Sequence, residues 1–205
     1  MTPDPAIVCF DLGGVFIRLQ PDLESACRDA GVAFRGGWEH LASDAPRLTL
    51  IERYQVGAIE CGDYYRAMSD LSAGRYTPEE IEAIHRVWVI EPYAGIDALL
   101  DELDAAGFAT ACLSNTNASH WRWLEGVAPF RRLHHKHASH LLRFHKPDER
   151  IYRAFEREIG RRGSEILLFD DLPENIAAAT RLGWQGCRID PLADTVAQMR
   201  SALMG

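Results

Sequence analysis

Short apolar runs of strand length recur along the chain and alternate with segments of helical periodicity. The four clearest runs are AIVCF at 6–10, FATACL at 108–113, EILLF at 165–169 and WQGCRI at 184–189. A fifth run, LHHKHA from residue 133, is weaker. Uninterrupted apolar runs of this length are typical of strands that are buried on both faces. The pattern therefore predicts a buried sheet of four or five strands.

Between these runs, apolar residues share one helix face. One such stripe within residues 96–103 precedes Gly107, and a second within 151–159 precedes Gly160. Both glycines are suited to end a helix. A third helix is predicted over 173–183, with Pro173 at its start and Gly183 at its end. Strands that alternate with helices predict an α/β fold, a Rossmann-like parallel sheet with helices on both faces.

The segment from about residue 18 to 92 breaks this alternation. It contains no convincing strand and instead predicts helices, among them one over 78–89. Thr77, Pro78 and Glu80 have the spacing of a capping box, and Ile81, Ile84, His85 and Trp88 form a stripe behind it. The sequence therefore predicts a small all-α insert directly after the first strand.

Charge and composition exclude several classes of partner. A formal net charge of -8 offers no cluster of Lys and Arg for nucleic acid or for an anionic membrane surface. No stretch approaches the length of a membrane span, and the start MTPDPAIV lacks the features of a signal peptide. The five cysteines are widely spaced and resemble buried apolar residues rather than a disulfide framework. These features favour a cytoplasmic protein.

Polar residues stand where the predicted strands end. Asp11 follows the first strand, Ser114 and Asn115 follow the second, and Asp170 and Asp171 follow the run at 165–169. The carboxyl ends of parallel strands share one edge of a sheet, and ligands bind at that edge. Lys146, ahead of a helix, could bring a cation to the same place. Carboxylates together with a hydroxyl and a lysine indicate a divalent cation and phosphoryl transfer.

These residues lie in four motifs that resemble those of the haloacid dehalogenase superfamily. The motifs are DLGGV at 11–15, LSNT at 113–116, KP at 146–147 and FDDLPEN at 169–175, in the expected order. The resemblance implies a core of residues 1–17 and 93–205 and a helical cap domain of residues 18–92. It also implies a Mg2+-dependent phosphatase acting on a small phosphorylated molecule, in which Asp11 attacks phosphorus and the aspartyl phosphate is then hydrolysed.

The same resemblance suggests a role for each motif residue. Asp171 is the first expected metal ligand and Asp170 the second, beside Asp11 and the backbone carbonyl of Gly13, with Asn175 in a supporting position. Ser114 would donate to a phosphoryl oxygen, and Lys146 would neutralise charge in the transition state. Gly13 and Gly14 would let backbone N–H groups close around the phosphate, and Asn115 would bind substrate beside them. From the insert, Arg53 and Tyr54 are candidates to contact the substrate.

One position departs from the superfamily pattern. Most phosphatases of this superfamily have a second aspartate two residues after the nucleophile as general acid and base, and this chain has Gly13 there. Such help is worth about 10² to 10⁴ in rate, so a good leaving group would suffer least from its loss. This argument, and a similarity to a branch of glucose-1-phosphate phosphatases, points to sugar 1-phosphates. His120 could replace the proton donor, but a position on a helix surface is the expectation.

Two other functions are compatible with these residues. A dehalogenase would use Asp11 to displace halide and needs no general acid, which would explain Gly13. It also needs no metal, so the pair Asp170 and Asp171 argues against it. A phosphate-binding module that has lost turnover is the other alternative.

Overall fold

The computed structural model describes residues 5–38 and 43–204 of the 205-residue chain. The first four residues of the MTPDPAIV stretch lie outside the described part. Within it, every cysteine is unpaired, and Cys9, Cys27 and Cys112 are buried, as expected from the sequence. None of the described helices has the combination of length and apolar character needed to cross a membrane.

A five-stranded parallel sheet forms the centre of the protein, in the order β5-β4-β1-β6-β7. Its strands are β1 (Ile7–Phe10), β4 (Ala109–Ser114), β5 (His135–Ala138), β6 (Ile166–Asp170) and β7 (Gln185–Arg188). The four clear apolar runs are all strands, and the weaker fifth run pairs with β4 at the sheet edge. Every residue of β1 and β6 is buried, which explains why these two runs are apolar without alternation.

Helices cover both faces of this sheet, which confirms the predicted fold class. Val8 and Phe10 of β1 pack on one side with residues of the helices Ile96–Ala105 and Thr195–Met204. Ile7 and Cys9 pack on the other side with residues of the helices Glu149–Ile159 and Pro173–Arg181. The helices outside the insert are α5 (Ile96–Ala105), α6 (Ala118–Leu124), α7 (Ala128–Arg132), α8 (Ser139–Leu142), α9 (Glu149–Ile159), α10 (Pro173–Arg181) and α11 (Thr195–Met204).

Among the described residues, four helices lie in the chain after β1 and before the other strands of the parallel sheet, and they have a hydrophobic core of their own. They are α1 (Leu23–Asp29), α2 (Ala45–Gln55), α3 (Cys61–Leu71) and α4 (Pro78–Val87). The predicted capping box begins α4: Thr77 accepts from the Glu80 backbone N–H, and the Glu80 carboxylate accepts from the Thr77 backbone N–H. This reciprocal pair satisfies two N–H groups that the first helical turn leaves free.

The ends of the insert differ from the prediction of a purely helical segment. β2 (Ile17–Leu19) and β3 (Val89–Pro92) pair as a two-stranded antiparallel ribbon where the chain leaves and re-enters the core. Helix α4 consequently ends at Val87, before the predicted end at residue 89. Segments of three and four residues are too short to show a period, and each needs a partner from the far end of the insert, so the sequence alone did not reveal them.

Candidate active site

Three adjacent strands bring the predicted acidic and hydroxyl side chains to one edge of the sheet. Asp11 follows β1, Ser114 ends β4 and Asp170 ends β6, and β4 and β6 are the two neighbours of β1. One carboxylate oxygen from each of Asp11, Asp170 and Asp171 lies within 4.8 Å of the other two. The parallel topology therefore gathers groups that are far apart in the sequence into a single acidic cluster.

Lys146 lies between two of these carboxylates. Its Nζ is 2.6 Å from Asp170 Oδ2 and 3.1 Å from Asp11 Oδ1, and its side chain is only 1% exposed. Burial favours the neutral amine, but the two carboxylates outweigh it and hold the pKa of Lys146 above its usual range. The lysine is therefore a permanent positive charge in the site rather than a proton donor at neutral pH.

Asn115 holds this lysine in place. The Asn115 Nδ2 donates to the Lys146 carbonyl at 2.8 Å, and Asn115 Oδ1 accepts from the Lys146 backbone N–H at 2.7 Å. Asn115 also lines the cavity, so the prediction that it binds substrate stays a prediction beside this second role. The sequence could not show this, since the two residues come from separate loops that meet only in the fold.

The two neighbouring aspartates have different surroundings. Asp170 is fully buried and accepts hydrogen bonds from Lys146 Nζ, from the Leu172 backbone N–H and from Asn175 Nδ2. Asp171 is half-buried, and its carboxylate lies beside Gly14. The structure thus places Asn175 as a support for Asp170. Asp171 has the more accessible carboxylate.

Electrostatics in the cluster favour a bound cation. Burial raises the pKa of Asp11 to about 6 despite the opposing effect of Lys146, and burial together with the nearby Asp170 raises the pKa of Asp171. Three carboxylates and one ammonium group leave a net charge of −2 when all are ionised. A divalent cation with a preference for oxygen ligands fits this donor set in charge and in chemistry.

The two glycines after Asp11 have separate roles. Gly13 lines the cavity next to the cluster, and a Cβ at this position would lie 2.8 Å from Leu19 Cδ1. Gly14 has a φ of +78°, and a Cβ there would lie 3.0 Å from Asp171 Oδ2. Its N–H donates to the Ile17 carbonyl, so the prediction that Gly14 binds phosphate needs correction. A side chain at Gly14 would both strain the turn and displace Asp171.

A cavity of about 710 Å³ opens between the strand ends and the insert; Leu12 and Gly13, directly after Asp11, line it, whereas the three aspartates of the cluster and Lys146 do not. Ser114 and Gly13 line it from the core, and Tyr54 lines it from α2. Arg53 does not line it and is exposed, which corrects its assignment to substrate binding. Positions 47, 51, 54 and 55 of α2 face the cavity, and at 100° per residue Arg53 points well away from that face.

A stacked histidine pair at the boundary between insert and core was missed by the sequence analysis. The rings of His85 on α4 and His120 on α6 are 3.9 Å apart at an angle of 9°, and both residues line the cavity. His120 Nε2 donates to the His85 carbonyl at 2.8 Å, and Asn117 Nδ2 lies 3.2 Å from His120 Nδ1. His120 is therefore not on a helix surface, because α4 covers it. The histidine in the apolar stripe of α4 was the available signal.

This pair makes folding sensitive to acid. Burial lowers the pKa of His120 to about 4, and burial and the neighbouring His120 lower the pKa of His85 well below its usual range. Below pH 6.5 the unfolded chain then binds more protons than the folded one, so stability falls as pH decreases toward 4. We expect His120→Gln to recover about 2 kcal/mol of the stability that wild type loses between pH 7.5 and 4.5.

Urea unfolding at pH 7.5, 6.0 and 4.5 measures this difference, with the exposed His134→Gln as the control. Equal pH dependence of the wild type and His120→Gln would show that His120 is not held neutral. Subtracting the two curves removes the contributions of the buried carboxylates, which are common to both proteins.

Comparison with known proteins relates most of the chain to one group of hydrolases. The sequence profile of the family described as haloacid dehalogenase-like hydrolase matches residues 5–183. The sesquiterpene phosphatase astK of Aspergillus oryzae is 26% identical over 203 residues, which are 93% of this chain and 93% of that protein.

Solved structures share the fold over nearly the full chain. An HAD family enzyme of Bacteroides thetaiotaomicron, crystallised with magnesium and inorganic phosphate, has a TM-score of 0.75 at 20% identity and covers 93% of this chain and 96% of its own. A HAD-like family hydrolase of Porphyromonas gingivalis has a TM-score of 0.77 at 20% identity and covers 99% of this chain and 100% of its own.

Proposed function

The chain belongs to the haloacid dehalogenase-like hydrolase family, and we propose that within this family it is a Mg2+-dependent phosphatase of small phosphomonoesters. The convergence of Asp11, Asp170 and Asp171 within 4.8 Å, beside a buried lysine and next to a cavity lined by Gly13 and Ser114, carries this proposal. The phosphatase astK, which matches this chain along almost its whole length, supports it.

In the proposed reaction, Asp11 is the nucleophile. Its free carboxylate oxygen attacks phosphorus as the bond from phosphorus to the leaving oxygen breaks and that oxygen takes a proton from water, which forms an aspartyl phosphate and the free alcohol. Water then attacks phosphorus and breaks the bond to Asp11, which releases inorganic phosphate and restores the carboxylate. The Leu12 backbone N–H at 2.7 Å and Lys146 at 3.1 Å both contact Asp11 Oδ1 and so leave Oδ2 as the attacking atom.

Charge compensation comes from residues around the nucleophile. Lys146 reduces the repulsion between Asp11 and an incoming phosphate, and its position is fixed by Asp170 and Asn115. Ser114, which is 3% exposed at the end of β4, would donate to a phosphoryl oxygen. Preorganised charges and donors of this kind account for much of the catalysis of phosphoryl transfer.

Asp11, Asp171, Asp170 and the Gly13 carbonyl would hold Mg2+. When bound, the ion would screen the phosphate from the carboxylates and polarise its oxygens. The raised pKa values of Asp11 and Asp171 fit this assignment, since both carboxylates lack sufficient positive charge nearby. A protein of the same fold has been crystallised with magnesium and inorganic phosphate.

The helical insert is proposed to be the cap domain, residues 18–92, over a core of residues 1–17 and 93–205. Its separate hydrophobic core and the ribbon at its two ends support this division. The cap would close the cavity over the substrate and exclude water from the aspartate. A cytoplasmic location is proposed with it, in keeping with five unpaired cysteines.

A dehalogenase acting on haloacids is the less favoured function. Its substrate carries a carboxylate, and the cluster of three acidic side chains would repel that charge without a metal. The phosphate-binding alternative is less favoured as well, because Asp11 and the lysine that supports it are both present.

We expect phosphate release from p-nitrophenyl phosphate in Mg2+ and a loss of at least about 10²-fold in rate when EDTA removes the ion. We expect no halide release from 2-chloropropionate. Sugar 1-phosphates, predicted from the resemblance, are assayed in parallel with other phosphomonoesters. Halide release without phosphate release would replace this proposal with the dehalogenase, and phosphate binding without turnover would replace it with the binding module.

A further inference from the structure

The cavity next to Asp11 is divided into a polar floor and an apolar chamber. The floor consists of groups at the ends of β1 and β4, including Gly13 and Ser114. The chamber is formed by apolar and aromatic side chains of α2, α3 and α4 and of the residue that follows α4: Ile51, Tyr54, Tyr64, Met68, Ile84 and Trp88. A ligand whose phosphate lies on the floor must therefore extend its other end into apolar surroundings.

Several polar groups around the chamber are paired within the protein, whereas Trp38 Nε1 and His85 Nδ1 are buried without a hydrogen-bond partner. The Tyr54 hydroxyl donates to Cys61 Sγ at 3.1 Å, and His120 Nε2 donates to a carbonyl. The Arg47 guanidinium makes two hydrogen bonds to the Asp44 carboxylate and lies over the ring of Trp38. Most hydroxyl groups of a sugar would lose water there against apolar and aromatic side chains, and an unsatisfied buried hydroxyl is costly.

The floor also has an apolar site, next to Gly13. Where the superfamily pattern has a second acid, Gly13 has no side chain, and Leu19 Cδ1 occupies the space next to it. Leu19 lines the cavity together with Ile17 of the same strand. The group that follows the phosphate ester oxygen therefore meets methyl groups rather than a carboxyl.

The size of the cavity sets the scale of the ligand. A volume of about 710 Å³ lies within the usual range of pockets for small organic molecules, about 300–1,000 Å³. We propose that the substrate is an amphiphilic phosphomonoester whose alcohol is an extended hydrocarbon that fills the chamber. This proposal depends on the proposed phosphatase function: R–O–PO₃²⁻ and water give R–OH and hydrogen phosphate, with no other reactant.

A series of n-alkyl phosphates from methyl to decyl, below the concentrations at which they form micelles, tests the proposal. We expect kcat/KM in Mg2+ to rise about 2- to 4-fold for each added methylene until the chamber is full. For glucose 1-phosphate and glucose 6-phosphate, kcat/KM should be no higher than for butyl phosphate. A flat series, or a sugar phosphate as the best substrate, would overturn the proposal.

Variants locate the effect. Met68→Gln changes a buried chamber residue of α3 to a polar one of similar shape and should reduce the ratio of octyl to methyl phosphate kcat/KM at least about 10-fold. Leu48→Gln, the same kind of change at an exposed position of α2 outside the chamber, should leave the ratio unchanged. Circular dichroism and thermal unfolding identify variants that are not folded, and the series on the wild-type protein stands without them.

Binding of n-alkylphosphonates, which are not hydrolysed, separates this inference from the proposed function. Calorimetry in Mg2+ should show affinity that rises with chain length, whether or not the protein turns over phosphates. Binding that strengthens with chain length, with no turnover of any phosphate, would support the inference that the chamber binds a hydrocarbon and would refute the phosphatase. Turnover of phosphates together with phosphonate affinities that do not change with chain length would support the phosphatase and refute the binding of a hydrocarbon in the chamber.

Discussion

Replacing Asp11 with asparagine is expected to reduce phosphate release by at least about 10³-fold, because the amide cannot attack phosphorus. The change preserves shape, and the Asp11 side chain is packed at 11% exposure between Lys146 and the Leu12 backbone N–H. Steady-state kinetics with p-nitrophenyl phosphate in Mg2+ measures the loss. A variant with more than a tenth of the wild-type rate would exclude Asp11 as the nucleophile.

Stability provides a second readout of the same substitution. The pKa of Asp11 in the folded protein is raised to about 6, mainly by burial, so the folded state binds more protons than the unfolded state between about pH 4 and 6. An acid with a raised pKa loses stability as the pH increases through this window. Without Mg2+ at pH 7.5, Asp11→Asn should therefore be more stable than wild type, by about 1 kcal/mol.

Calorimetric or urea unfolding in EDTA checks the stability increase, and the matched experiment at pH 4.5 should show a smaller difference between the two proteins. Adding Mg2+ should stabilise wild type more than Asp11→Asn, because the variant lacks one proposed ligand. An equal response of both proteins to Mg2+ would contradict the assignment of Asp11 to the metal site.

Replacing Lys146 with methionine is expected to cost about 3–5 kcal/mol of folding free energy, since it leaves two buried carboxylates without their shared counterion. The lysine side chain is 1% exposed and contacts both Asp11 and Asp170, the second at 2.6 Å. Activity should also fall, by about 10² or more, because the positive charge next to the phosphate is lost.

The only other lysine provides a matched control. Lys136→Met removes an amine that binds backbone carbonyls at the end of α7, outside the acidic cluster, and should cost much less stability. Thermal unfolding and phosphate release compare the two variants. If Lys146→Met folds as stably as Lys136→Met, the buried ion pairs do not hold the site together. Mg2+ should raise the unfolding temperature of Lys146→Met more than that of wild type, since an added cation replaces the lost charge.

Much of the fold followed from local sequence patterns. The run at 6–10 is apolar without alternation because β1 is central and buried on both faces, so it stands out from surface strands. The start of α4 was predicted because a capping box lies entirely within four residues. The ribbon of β2 and β3 was not predicted, because each strand is three or four residues long and forms only by pairing with the other.

The candidate site was likewise predicted from the sequence only in part. The sequence predicted the proximity of Asp11, Ser114, Asp170 and Asp171, because parallel strands place their carboxyl ends at one edge of the sheet. The assignments of Arg53 and Gly14 to the substrate were wrong for a tertiary reason, and Asn115, which lines the cavity, also holds Lys146. The exposed face of α2, the loop at Lys146 and the turn at Ile17 determine where these residues point or what they bind.

The sequence by itself determined which segments are buried strands and which acids follow them, because a buried strand is an uninterrupted apolar run and the acids come directly after it in the chain. Only the tertiary structure decided what surrounds those acids: the lysine that joins Asp11 to Asp170, the histidine pair, and the apolar chamber under the inserted helices. These features depend on how one helix face packs against a distant loop. No local period encodes that packing, since the contacting residues lie far apart along the chain.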